Sequence, residues 1–480
     1  MNGQKAKIWV FGAENKNLQF KIRKLSHLSL HPDFRWDSQY LSCEPYKNKN
    51  LQYTPIGNVL TSSQYGISIE MNEDEIGTKI YRMNEISNML CDRNILKYAE
   101  LSDNQIASYK LEDRDVLFNR TNSKEFVGRT GIFRKFSDED IVFASYLVRI
   151  NPDPEIVTPE YLTAFLNTKY GIIDIKRRAR HSVNQSNVNL EEVKRIEIPL
   201  LCNQLQGAIT LSFDKAFDLL QASESAFHQA QILLLAELGF SDWQPKHQLT
   251  FVKNFSDTER TERIDADYFQ PKYDEVVNII KNYPGGWDTL GNQGHVKDTN
   301  FNPNAGTEYK YIELANIGSS GEITDCMVEQ GKNLPTRARR KVAIGDVIVS
   351  SIEGSLESIA LITEEYDSAL CSTGFHVVQS DMLNSETLLV FLKSRIGQLQ
   401  LKKGCSGTIL TAINKEEFSK IAVPKIRVEK QTEIQQKVLK SFSLRKHAKN
   451  LLEYVKRAVE ITIEQDEQAT IDRLKSVAFT

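Results

Sequence analysis

The fold class that the sequence predicts is α/β: two tandem α/β domains, each followed by a long helix, with the two helices pairing as an antiparallel coiled coil. Three observations predict it. Short motifs recur in the same order at offsets of 225–231 residues, each copy mixes short strands with helices, and each copy ends in a long apolar stripe at helical spacing.

The repeat comes first because it sets the organisation. Arg35–Tyr40 is echoed by Arg263–Tyr268 (offset 228), Tyr81–Ile86 by Tyr311–Ile317 (230) and Asp115–Phe118 by Asp346–Val349 (231). Tyr161–Leu166 is echoed by Thr387–Leu392 (226), and Ser182–Pro199 by Ser406–Pro424 (225 at the proline). Each echo alone is weak; their shared order and spacing carry the inference. The expected domains are 1–199 and 246–425, with spacer helices over 200–245 and 426–480.

Within the first copy, Asp115–Phe118, Gly131–Phe133 and Val142–Ile150 read as strands, and Pro159–Thr168 as a helix opened by its proline. The second copy reads as strands at Asp346–Ser350, Ile359–Ile362 and Gly374–Val378, then a helix over Ser385–Ser394. After Pro199 the period changes. Leu205, Ile209, Phe213, Ala216, Leu220, Phe227, Ala230, Leu234 and Leu238 advance in steps of three and four, with Ser223 filling the one gap and Gly239 as the stop. After Pro424, Ile434, Val438, Phe442, Ala448, Leu452, Val455 and Val459 form a second stripe, interrupted by Arg445. Such stripes must be buried. Two of them outside their domains cover each other most simply as a coiled coil, a rod of roughly 50 Å. Docking of each helix on its own domain is the alternative.

Composition bounds the function. With 480 residues the chain exceeds one ordinary domain; 40% hydrophobic and 26% charged residues describe a globular protein. No apolar run is long enough to span a bilayer, the N-terminus lacks the long apolar core of a secretory signal, and the six cysteines form no CxxC pair. A reduced, cytoplasmic protein without membrane association is expected. The formal net charge of −3 argues weakly against nucleic acid, but charge is local.

Basic clusters occur in both copies. Asn119–Lys124, at a strand end, holds Arg120, Asn122 and Lys124 and leads to Arg129 in Gly128–Gly131. Such residues can bond base edges or phosphates. Lys176–His181 contains Arg177, Arg178 and Arg180; Arg337–Lys341 contains Arg337, Arg339 and Arg340. Lys402 and Lys403 complete the candidate DNA-binding set. A single charge run is more often a solvated face; one in each copy favours a phosphate-facing surface. The amide-rich Ser182–Asn187 could read adenine, although helix capping by Asn187 and Asn189 ahead of Leu190 is the more natural role.

At this point the residues resemble a known family. FNRTNSKEFVGRTGIF, FASYLVRI, YLTAFLN and SVNQSNVNLEEVKRIEIPL before a long helix look like the target-recognition signature of type I restriction–modification specificity (S) subunits. YKYIELANIG, GDVIVSS, GCSGTILTAINKEEFSKIAVP and RIDADYFQPKYDEV resemble the same signature in the second half. The resemblance runs from about Phe34 to about Glu460. It implies two target-recognition domains that each read half of a bipartite double-stranded DNA sequence. It also implies a coiled coil that spaces them, and a complex with methyltransferase (M) subunits, two of them, and restriction (R) subunits that do the catalysis. Departures are the loosely matching Tyr46–Glu75 and, in place of the NRTNS loop, Ser350–Gly354 in the second copy. If that loop reads DNA, the halves read different sequences.

No catalytic site or cofactor is expected. The sequence has neither an Asn-Pro-Pro-aromatic motif nor a Walker loop, and Glu191–Lys194 and Glu416–Lys420 read as acidic helix starts rather than a nuclease centre. A divergent DNA methyltransferase or nuclease, or a coiled-coil scaffold that binds only protein, are the rival readings.

Overall fold

A computed structural model describes residues 7–12, 19–24, 40, 43–95, 97–182, 185–407, 411–468 and 470–471. Most of the Arg35–Tyr40 echo, and the centres of the Ser182–Asn187 and Ser406–Thr411 segments, lie outside the described residues. The chain divides into two compact units, one made of residues 1–218 and 447–480, the other of residues 219–446. Each unit mixes helices and sheets.

In the first unit, Leu60–Tyr65, Leu147–Pro152, Val116–Asn119 and Thr130–Ile132 lie side by side in that order, and Leu90–Cys91 and Ile86–Ser87 extend the sheet. Val116, Leu117 and Phe118 are fully buried, so this central strand is covered on both faces, as its unbroken apolar run requires. A smaller sheet orders Ile141–Phe143, Thr78–Tyr81 and Tyr98–Ala99. The helices Pro159–Asn167 and Lys169–Arg178 follow, capped by Thr158 and Thr168, whose side chains accept from Tyr161 N and Gly171 N. Their junction is tight: a Cβ on Gly171 would come within 2.3 Å of the Phe165 carbonyl oxygen.

The second unit repeats this frame. Gly294–Lys297, Phe375–Ser380, Val347–Ser350 and Ile359–Leu361 lie in the same order as the first four strands above. Ser385–Lys393 and Arg395–Gly404 are capped by Asn384 and Ser394, and a Cβ on Gly397 would meet the Phe391 carbonyl oxygen at 2.2 Å. A second sheet orders Met327–Gln330, Glu308–Ile312, Leu370–Ser372 and Ala338–Lys341.

The long helices run Asn203–Glu237 and Val428–Glu464, and Gly239 follows the first with φ of +75°, the left-handed stop expected of it. The unit boundary falls inside both, since the two ends of each helix pack in different units. Each helix is fixed at its start by one glutamine. Gln206 accepts from Thr158 N at 2.8 Å and donates to the carbonyls of Ile156 and Leu201, both at 3.0 Å. Gln431 accepts from Asn384 N at 2.7 Å and donates to the carbonyls of Met382 and Ile426, both at 2.8 Å. These are the same bonds, 225–226 residues apart.

Helix ends are held as well. In the first unit Glu460 accepts from Lys169 N at 2.8 Å, and Glu464 pairs with the Lys169 ammonium at 2.5 Å. In the second, Arg395, the counterpart of Lys169, donates to the Phe240 carbonyl, and Tyr283 donates to Glu237 at 2.7 Å. Phe227, Ala230 and Leu234 of the first helix, and Leu238 just past its end, share one apolar core with Ile434 and Val438 of the second. Polar contacts there pair Glu237 with Arg427, Gln229 with Lys437 and Ser223 with Ser441. One number falls as the other rises, so in this unit the two helices run in opposite directions.

Candidate nucleic-acid interface

The residues singled out from the sequence meet on a small three-stranded patch in the first unit. Thr121–Asn122 pairs with Ser186–Asn187, which pairs in turn with Arg180–His181. The NRTNS loop, the amide-rich segment and the end of the basic run are therefore neighbours, although far apart in the chain. Asn187 donates to Thr121 Oγ1 at 2.7 Å, and His181 Nδ1 lies 2.6 Å from Ser186 Oγ. Asn187 is thus a strand residue and not a cap. Its role is corrected because its partner is 66 residues away and invisible to local patterns. Asn189 is the cap, accepting from Glu191 N at 3.1 Å. Asn414 caps the matching helix in the second unit by accepting from Glu417 N at 2.9 Å, and the paired glutamates open both helices.

Around this patch Arg120 lies over the ring of half-exposed Tyr65, 4.9 Å from its centroid, and donates to the Ser145 carbonyl at 3.3 Å. Arg129 stacks on Phe126 at 3.9 Å. Lys124 is exposed, and Asn122 is half-buried with its side-chain oxygen accepting from Ser123 N. The Lys176 ammonium donates to the carbonyls of Lys124 and Glu125, stitching the loop to the helix behind it. Burial there pushes its pKa below the ordinary lysine range.

The basic run itself divides. Arg180 is exposed on the patch. Arg177 bonds Asp174 at 2.5 Å and the Tyr40 carbonyl at 3.3 Å. Arg178 is 5% exposed and pairs with Asp174 and Glu192, both at 3.0 Å. Burial works against its charge, but Asp174, with Tyr40 and Glu192, outweighs it and raises its pKa. The expectation that Arg178 contacts phosphate is therefore corrected: a guanidinium held between two buried carboxylates has no face left for an anion.

The second unit builds the same patch from different residues. Cys405–Ser406 pairs with Ala412–Ile413, and Ile352 bridges to Ala412. Ile352 stands where Thr121 stands in the first unit, so Ser350–Gly354 occupies the place of the NRTNS loop. Ile413 N donates to the Ser351 carbonyl, Ser351 N to the Gly374 carbonyl, and Thr373 N to the Arg337 carbonyl, a chain of backbone bonds leading to the basic strand. Arg337 is exposed; Arg339 bonds Asn302 Oδ1 at 2.8 Å, and Arg340 pairs with Asp298 at 2.7 Å. Asp298 also holds Lys415 at 3.1 Å, directly after the cap Asn414. Lys402 is exposed, whereas Lys403 is tied to Asp274 at 3.1 Å. Gln206 and Gln431 were not among the expected residues; the offset of 225 at the proline, carried seven residues further, links them. Among the described residues no group of three or more His, Cys, Asp or Glu could hold a metal ion, and no helix is long and apolar enough to cross a membrane.

No family model matches the chain. Over 209 residues, 40% of its length, it is 29% identical to a putative type I restriction enzyme MjaX specificity subunit of Methanocaldococcus jannaschii, a match that takes in 49% of that protein. Over 138 residues, 28% of its length, it is 26% identical to the type I restriction enzyme EcoKI specificity subunit of Escherichia coli, and this match covers 30% of that protein. The matched stretch is thus about half of the first relative and less of the second. A crystal structure of a type I restriction–modification system S subunit from M. genitalium aligns with 90% of this chain and 98% of its own at 12% identity and a TM-score of 0.35. The HsdS subunit of Thermoanaerobacter tengcongensis aligns with 88% and 99% at 13% identity and a TM-score of 0.28. By sequence the chain is similar, over part of its length, to type I restriction enzyme specificity subunits.

Proposed function

We propose that the chain is the DNA sequence-recognition subunit of a type I restriction–modification complex and has no catalytic activity of its own. Each unit carries one target-recognition domain that reads half of a bipartite double-stranded target. The observation that carries this reading is the duplicated patch. One backbone frame is used twice, faced with Arg120, Asn122, Arg180 and Asn187 in one unit and with Ser351, Ile352, Glu353 and Ser406 in the other. A frame kept while its facing residues change suits two readers of different sequences. Arg and Asn can bond base edges; Arg180, exposed on the first patch, and Arg337, exposed near the second, suit phosphates. The similarity to named specificity subunits supports the same reading. On it, the two long helices form an antiparallel coiled coil that sets the gap between half-sites. Two methyltransferase subunits and restriction subunits assemble on the chain and supply the chemistry, and the protein works in the cytoplasm.

The test is to express the chain with its methyltransferase partners and map the methylated motif. A two-part motif that disappears without this chain is expected. A heptad inserted after Ser223 together with one before Ser441 lengthens the rod by about 10 Å, roughly three base pairs, and keeps the seam in phase. The half-sites should persist with a longer gap. A continuous motif, or methylation independent of this chain, contradicts the proposal.

A further inference from the structure

The helix stripes are apolar almost throughout, yet one layer is polar. Ser223 and Ser441 are both fully buried. Ser223 Oγ donates to the Ser441 carbonyl at 2.9 Å and lies 3.0 Å from Ser441 Oγ. Buried hydroxyls on helices usually bond the carbonyl four residues back on their own helix, as Ser212 does with Ala208 at 2.8 Å and Thr462 with Ala458 at 3.0 Å. Ser223 crosses to the other helix instead.

We infer that the Ser223–Ser441 pair is a register lock: it fixes which layer of the first helix faces which layer of the second. A slip by one heptad brings Ser223 opposite Ile434 or Ala448 and Ser441 opposite Ala216 or Ala230, all four fully buried. The seam by itself does not oppose such a slip, because apolar residues meet apolar residues either way; what opposes it besides the serines is the fastening of the helix ends by Gln206, Gln431 and Glu460. The Ser223 hydroxyl does oppose it, because a slip takes away the Ser441 carbonyl to which it reaches across. The lock is unequal. Ser223 supplies the hydroxyl that reaches across, while Ser441 contributes its backbone carbonyl, which no substitution removes. The inference reaches DNA only through the proposed function: on that reading, register sets the gap between half-sites, and the serine pair is a positioning element for a target it never touches.

Cysteine trapping with a short bifunctional maleimide reads the register without DNA. The Gln229 and Lys437 side chains meet at their tips at 2.7 Å, so Q229C/K437C lies within reach of such a cross-linker and reports the native register. One-heptad slips bring residue 229 opposite residue 430 or 444, reported by Q229C/K430C and Q229C/L444C. These pairs are made in the full chain with and without S223A, S441A or both. Alanine is the best helix former, so the helices persist. With both serines present only the native pair should close. The slipped pairs should gain on the order of tenfold in S223A and in the double variant, the equivalent of one lost cross-helix hydrogen bond, and change little in S441A. Slipped products at the wild-type level in S223A/S441A overturn the lock. In the second arm, the methylated motif of S223A/S441A should keep its half-sites but show more than one gap length. If trapping shows the slip and the gap stays single, the lock stands and the ruler reading falls.

Discussion

The two units place a positive charge at the same position of the repeat and do opposite things with it. Arg178 in the first unit is sealed between Asp174 and Glu192; Lys403 in the second, 225 residues later, stays half-buried against Asp274. The frame around them is the same, down to the capping positions and the anchoring glutamines. What differs is how each unit spends its polar residues. The first buries an arginine between two carboxylates behind its patch, and the second gathers its cations on half-exposed aspartates, Lys253 and Lys403 on Asp274, Arg340 and Lys415 on Asp298. Shared backbone bonds therefore mark the scaffold, and divergent side chains mark the face proposed to read DNA.

The largest expected contrast breaks or confirms that division. R178A leaves buried Asp174 to Arg177 alone and buried Glu192 to Arg195 alone, and should destabilise the first unit by about 2–3 kcal/mol. K403A removes a partly solvated pair and should cost about 0–1 kcal/mol. Urea unfolding of the full chain, followed by probes in each unit, measures both. Equal losses would mean that the charge at this position serves one role in both units. A smaller contrast sharpens the other half of the comparison. Q206A and Q431A each strip one backbone N–H and two carbonyls of their partner and should cost about 2–3 kcal/mol apiece, nearly the same in either unit. A twofold or larger difference between them would show that the glutamine anchors are not equivalent parts of one scaffold.

Much of this scaffold was legible in the sequence, because helical periodicity, caps and repeats are local signals. The stripe from Leu205 to Leu238 foretold the helix Asn203–Glu237, and Gly239 its end. The strands at Asp115–Phe118 and Asp346–Ser350 were expected within a residue of Val116–Asn119 and Val347–Ser350. The site was legible only in outline. Arg178 was read by its sign, although Asp174 four residues earlier was the clue that a helix would pair the two. Asn187 was read by its neighbours in sequence, whereas its fate rests on Thr121 across the patch. That Ser350–Gly354 stands in place of the NRTNS loop was legible from the repeat, but the bridge from Ile352 to Ala412 needed strand register, which short-range patterns do not contain.

The central claim is that one scaffold, used twice, carries two independent readers. Its most direct test is the methylated motif of the complex containing N122A/N187A, compared with that of the unaltered chain. The account predicts that one half of the motif becomes degenerate, by about 1–3 kcal/mol of lost discrimination at the affected base pairs, while the other half and the gap stay the same. Both halves changing together, or neither changing, would contradict it.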